Sequence, residues 1–261
     1  MAKYPIRRGA AGLAAGLALY GAPVLAANQT PITLTGFNAD VIAEAAPAAA
    51  YTSTEMDSGC CVLYSTSYRG LAAGGLLAGA DRSYQLQPFS QANALILDTA
   101  GSATLTFASP TALGVVSVLA TATNVPGGGG RLDVDVLFSD GAYQRFSQIA
   151  VPDWHSEAPG FVAGLDRITR GGGSMDHNSQ SPTLFALDLP IDDANFLKPV
   201  IGLRLSNSGM GRIVAFAAAG QAPPEPVPTM GEWAMLTFVL LLAGGAVWRL
   251  RGWSVAAARR A

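Results

Sequence analysis

The feature that most narrows the fold is a strict two-residue alternation. Leu132, Val134, Val136 and Phe138 share one side of an extended chain, while Asp133 and Asp135 share the other. That pattern predicts a strand with one buried and one polar face. Asp140-Gly141 follows, a dipeptide suited to a tight reversal, and leads into Tyr143–Ile149, so the pair predicts a β-hairpin. The alternation returns in Thr104-Leu105-Thr106-Phe107, in Phe185, Leu187 and Leu189, in Ile201, Leu203 and Leu205, and in Ile213, Ala215 and Ala217. Val115–Leu119 is more densely apolar and predicts a central strand. From Asn28 to Gly220 no long helical period appears, and Gly, Pro, Asn and Asp clusters separate the runs. The fold class is therefore all-β, a β-sandwich.

Two glycine runs interrupt this stretch. Asn124–Gly130 lacks the Lys-Ser/Thr of a phosphate-cradling loop and precedes no helical pattern, so it reads as a hairpin connection, as does Gly171-Gly172-Gly173. Only 13% of residues are charged and the formal net charge is −2, which implies no basic face and no nucleic-acid partner. Half of the chain is hydrophobic, so it is not a disordered composition.

Both ends differ from the middle. Lys3, Arg7 and Arg8 precede an apolar stretch from Gly9 to Gly21, and Val24-Leu25-Ala26 and Leu25-Ala26-Ala27 are small-residue cleavage sites. Residues 1–27 therefore read as a signal peptide for general secretion; the residues around Arg7-Arg8 do not support a twin-arginine signal. The β-sandwich domain is expected over 28–220. A Pro-rich linker, Ala222–Pro228, lies within 221–232 and should be extended and semi-rigid. Residues 233–248, from Trp233 to Trp248, form a single apolar stretch with an indole at each end, a candidate C-terminal transmembrane helix about 24 Å long at about 1.5 Å per residue. Residues 249–261 carry Arg249, Arg251, Arg259 and Arg260, a membrane stop that would stay in the cytoplasm.

Val227-Pro228-Thr229-Met230-Gly231-Glu232-Trp233-Ala234 resembles the IPTL-CTERM sorting signal of Gram-negative bacteria, usually Ile-Pro-Thr-Leu-Ser-Glu-Trp-Gly. Pro228, Thr229, Glu232 and Trp233 match; Val227, Met230, Gly231 and Ala234 depart from it. The resemblance implies an exosortase-like processing protease as partner. It also implies an inner-membrane precursor that passes to the cell surface or extracellular matrix. In the middle, Leu132–Phe138, Asp140-Gly141, Tyr143–Ile149 and Val151-Pro152-Asp153-Trp154, followed later by Ile201–Leu205 and Arg212–Gly220, resemble jelly-roll domains of the galactose-binding-like type. That resemblance implies a jelly-roll-like sandwich and extracellular polysaccharide as a partner.

Chemistry is sparse. Asp153, Trp154 and His155 could grip a sugar through polar groups and an indole face; the simpler account has Trp154 plugging the sandwich edge and Asp153 capping a turn. Asp176-His177-Asn178 could offer oxygen atoms to a structural calcium but lacks the spaced acids of a calcium loop, so no metal or other cofactor is expected. Arg167 and Arg170 could steer an anion, or simply be solvated. Cys60 and Cys61 are adjacent, with Cα atoms about 3.8 Å apart, below the usual disulfide range. They could be thiols, a vicinal disulfide or an intermolecular bond. No nucleophile elbow or metalloprotease motif occurs. A glycosidase pair would have to come from Asp133, Asp135, Asp153, Asp166 and Asp188, and nothing selects two; Asp133 and Asp135 are expected to face solvent. A non-enzymatic glycan-binding or matrix-packing protein is the expectation, with a secreted polysaccharide hydrolase as the alternative.

Overall fold

The hairpin read from the sequence forms, and its register organises the rest. The computed structural model describes residues 28–44, 51–57, 59–65, 71, 74–126, 129–156, 159–171, 175–176, 182–225, 231 and 233–244. The N-terminal strands are β1 (Thr30–Ile32), β2 (Leu34–Thr35), β3 (Ile42–Ala43), β4 (Cys61–Tyr64), β5 (Leu76–Ala78), β6 (Ser83–Gln85) and β7 (Leu95–Leu97). The long strands β8 (Ser102–Ala112), β9 (Val115–Thr123), β10 (Gly129–Phe138) and β11 (Tyr143–Pro152) follow. Short β12 (Arg167–Thr169) and β13 (Met175–Asp176) precede β14 (Phe185–Pro190), β15 (Pro199–Asn207) and β16 (Arg212–Gln221).

β10 and β11 pair antiparallel, with Leu137 opposite Tyr143 and Asp135 opposite Arg145. Gly141 sits at φ +84° in the connecting turn, where a side chain would be strained. Two antiparallel sheets face each other, one in the order β7-β16-β9-β14 and the other β8-β15-β10-β11. From β7 to β10 successive strands alternate between the sheets, and β14, β15 and β16 alternate again. This double Greek key is a jelly roll. β1 extends the first sheet beside β16, and β2 extends the second beside β8. Ile201–Leu205 and Arg212–Gly220, the last segments of the jelly-roll resemblance, lie in opposite sheets as parts of β15 and β16.

The inner faces meet in a core that includes Leu105, Phe107, Val118, Leu132, Val136, Phe138, Leu203 and Leu205. A second core lies on the other side of the first sheet. A four-stranded sheet ordered β13-β12-β4-β3 and the β5-β6 hairpin belong to this outer layer. There Met56, Leu63, Tyr84, Trp154 and Ile168 pack against Leu119, Val214, Phe216 and Ala219. β9 and β16 are consequently buried on both faces, which is why Val115–Leu119 reads as a dense apolar run. The alternation expected for Ile213, Ala215 and Ala217 breaks at a bulge between Ala215 and Ala217, which turns Ala217 into the second core.

A polar cluster fastens the outer layer to the sheet. The Arg82 guanidinium donates to Ser117 Oγ at 3.0 Å and pairs with Asp188; Ser117 Oγ also bonds Asp188 at 2.6 Å and Tyr84 Oη at 2.7 Å. Burial pushes the Tyr84 hydroxyl pKa up. The side chains of Cys60 and Cys61 adjoin one another where β4 begins.

Thr30 pairs with Gly220, so residues 28 and 222 leave the domain at one end. Residues 233–244 are helical and exposed. Among the described residues no helix is long and apolar enough to cross a membrane. The expected signal peptide 1–27, residues 245–248 of the expected span and Arg249, Arg251, Arg259 and Arg260 lie outside the described residues.

Candidate functional site

With the first sheet covered on both sides, the solvent face of the β8-β15-β10-β11 sheet is, among the described residues, the uncovered sheet face of the sandwich. Register arranges its outward side chains in rows across the strands. Thr104, Arg204, Asp135 and Arg145 form the middle row. On one side of it Ser102, Ser206 and Asp133 stand in line; on the other, Thr106, Gly202, Leu137 and Tyr143. Ser102 and Ser206 share a hydrogen bond of 2.8 Å. Asp133 accepts from Ser208 Oγ at 3.0 Å and from the Gln148 amide at 2.7 Å. Gln148, at φ +56°, lies where the β10–β11 register shifts.

The middle row is the most strongly organised. Asp135 lies between two arginines. Arg145 donates from Nε to Oδ1 at 2.7 Å and from Nη2 to Oδ2 at 3.1 Å. Arg204 donates from Nε and Nη2 to Oδ2. Although it points outward, the Asp135 side chain is only 2% exposed, whereas those of Arg145 and Arg204 are 53% and 47% exposed. The expectation of a solvent-facing Asp135 is corrected accordingly: the guanidinia roof it over. Burial opposes the charged form, but the hydrogen bonds from Arg145 and Arg204 outweigh it and hold the carboxyl below the usual carboxylate range. The Asp135 bond in turn raises the Arg145 pKa. Arg204 also lies 5.9 Å from the centre of the exposed Tyr143 ring.

The residues singled out from the sequence are placed elsewhere. Trp154 is 1% exposed and belongs to the second core, with Arg167 5.5 Å from its ring centre. An indole so enclosed presents no face to a sugar, which corrects the grouping of Asp153, Trp154 and His155 as a gripping set. Asp153 Oδ1 accepts the His155 amide at 2.9 Å, the turn-capping arrangement. His155 Nε2 lies 2.7 Å from Arg167, which also faces Asp57 at 3.7 Å; Arg170 faces Glu55 at 3.7 Å. Of the other acids, Asp166 is fully buried and Asp188 is engaged by Arg82 and Ser117. Asp176 ends β13, and His177 and Asn178 lie outside the described residues. Among the described residues no three metal-ligating side chains converge. In the sorting signal, Trp233 is exposed on the helix, while Val227, Pro228, Thr229, Met230 and Glu232 lie outside the described residues.

Sequence reasoning missed Arg145 and Arg204. Arg145 was within reach: the Asp140-Gly141 turn sets a register that puts residue 145 opposite Asp135. Arg204 lies 69 positions from Asp135, and only the long-range pairing of β10 with β15 brings it there.

The fold and its tail define a class: a jelly-roll protein bearing a C-terminal sorting signal. Residues 225–252 match the IPTL-CTERM motif, which implies export and sorting to the cell surface. A comparison with curated proteins finds no match. Among solved structures, a xylan-binding module CBM15 is similar at 9% identity and a TM-score of 0.28, covering 74% of this chain and 99% of that one. At that score the likeness carries no argument, and the jelly roll is established here by the strand pairing.

Proposed function

We propose that this protein is an exported surface or extracellular-matrix component whose jelly-roll domain binds, or packs with, extracellular polysaccharide through its open sheet face. The observation that carries the reading is the asymmetry of the sandwich: one sheet is covered on both sides, and the other presents rows of hydroxyls and guanidinia to solvent. Glycans are recognised by such directional polar groups, with bridging water filling gaps. Binding is preferred over hydrolysis because Asp135 lies buried beneath two guanidinia, so Asp133 and Asp135 do not stand open as a carboxyl pair toward a substrate. Residues 1–27 would direct export, residues 233–248 would hold the precursor in the inner membrane, and an exosortase-like protease would read Val227–Trp233.

Both halves are testable. The full chain in non-ionic detergent, screened on a glycan array and by calorimetry, should bind at least one bacterial polysaccharide; silence across the array would refute the binding half. In the native host, Pro228→Ala, Thr229→Ala and Trp233→Ala should each leave unprocessed precursor in the inner membrane. Normal maturation of all three, read by intact mass, would refute the processing half.

A further inference from the structure

We infer that the open face is selective for polysaccharides bearing carboxylates, the polyuronates, and that the Arg145–Asp135–Arg204 row is its recognition element. This rests on the proposed polysaccharide binding and narrows it to a ligand class.

The first argument is charge. One carboxylate is neutralised by one guanidinium, yet Asp135 is held by two. The neighbouring acid on this face, Asp133, accepts from the neutral Ser208 hydroxyl and the Gln148 amide and keeps its charge, but exposed Arg131 stands on the same side of β10 two residues before it. Arg131, Arg145 and Arg204 are thus set against Asp133 and Asp135, a formal surplus of one positive charge around the row in a chain whose net charge is −2. A ligand covering the row must replace the water around both guanidinia, and an anion does so with charge-assisted bonds that a neutral hydroxyl lacks.

The second argument is geometry. Asp135 uses Nε and Nη2 of each arginine, and neither Nη1 bonds a described residue. The buried carboxylate thus fixes both planar forks before any ligand arrives, and each keeps an unused donor end of the kind that matches a carboxylate. The third argument is the ring. A neutral sugar is commonly held on a free aromatic face, but the exposed aromatic of this face, Tyr143, already lies against Arg204. The face is built for charged hydrogen bonds more than for stacking.

The test uses the full chain in non-ionic detergent with polygalacturonate, alginate, fully methyl-esterified polygalacturonate and neutral xylan. At least one of the two acidic polymers should bind, at least tenfold tighter than the ester or xylan, with affinity falling steeply as salt is raised. Removing both arginines alone would strand a buried charge, so the informative variant is Asp135→Asn/Arg145→Gln/Arg204→Gln, checked for folding by its melt. It should lose acid binding, and Arg204→Lys, which keeps charge but not the fork, should lose part of it. Equal, salt-insensitive binding of the acid and ester forms would overturn the carboxylate class while leaving polysaccharide binding intact. Acid binding unchanged in a folded triple variant would overturn the assignment to this row. No binding to any of the four polymers would overturn this inference, and polysaccharide binding as a whole falls only if the broader glycan array is also silent.

Discussion

The two sheets of this sandwich are built from similar alternating strands and end in opposite situations. The β7-β16-β9-β14 sheet is covered on both faces, and its polar groups are spent on fastening the layer above it. Among the described residues the β8-β15-β10-β11 sheet is covered on one face only, and its middle row presents the Arg204 and Arg145 guanidinia to solvent above the buried Asp135. Strand pattern alone does not decide which face of a jelly roll works. The segments outside the eight main strands decide it, by choosing which sheet to cover.

A matched pair of substitutions breaks the comparison most sharply. Ala217→Glu places a carboxylate in the second core, and it should cost more than about 4 kcal/mol and abolish a cooperative melt, because an unpaired charge cannot be buried cheaply. Thr104→Glu sits opposite Arg204 on the open face, and it should leave the melt within about 0.5 kcal/mol of wild type. It should nevertheless weaken acidic-polysaccharide binding by spending the Arg204 charge, so stability and binding separate on one face only.

Trp154→Ala comes next. Losing a fully buried indole should cost about 3–5 kcal/mol by chemical denaturation. The inner core lies on the other side of the covered sheet, so its contacts should outlast those of the outer layer. A loss below about 1 kcal/mol would mean that the second core is not packed as described.

The smallest expected effect is on pH dependence. Asp135 is held below its unfolded value, about 3.9 for a free aspartate, so its contribution is present above that pH and is lost as pH falls through the folded value. The wild-type melt should therefore drop on acidification below about pH 4, and Asp135→Asn should flatten part of that drop. Asp188 is also held low in the folded state, through Arg82 and Ser117 against the effect of burial, so the remaining slope belongs in part to the covered sheet.

The open sheet was largely legible in the sequence, because a strand buried on one side writes its burial as period two: β8, β10, β14 and β15 were each marked by it, although β14 lies in the covered sheet. β9 was legible as a central strand for the opposite reason, an apolar run without alternation. The outer layer was not legible. Its strands are two to four residues long, too short to display a period, and it is assembled from segments as distant as Ile42 and Ile168. That layer also explains the misreading of Trp154, whose burial depends on a covering no local pattern announces. The candidate site was half legible: the polar side of β10 was evident, but the arginines that make it a charged row come from the two flanking strands.

The claim that the open sheet face is the ligand surface is tested most directly by following arginine side-chain Nε–H signals in the labelled full chain as polygalacturonate is added. Arg145 and Arg204 should shift together and saturate, while Arg82 and Arg212, bonded to Asp188 and Asp98 on the covered sheet, stay in place. Shifts confined to Arg82 and Arg212, or no arginine shift at a concentration where calorimetry records binding, would contradict it.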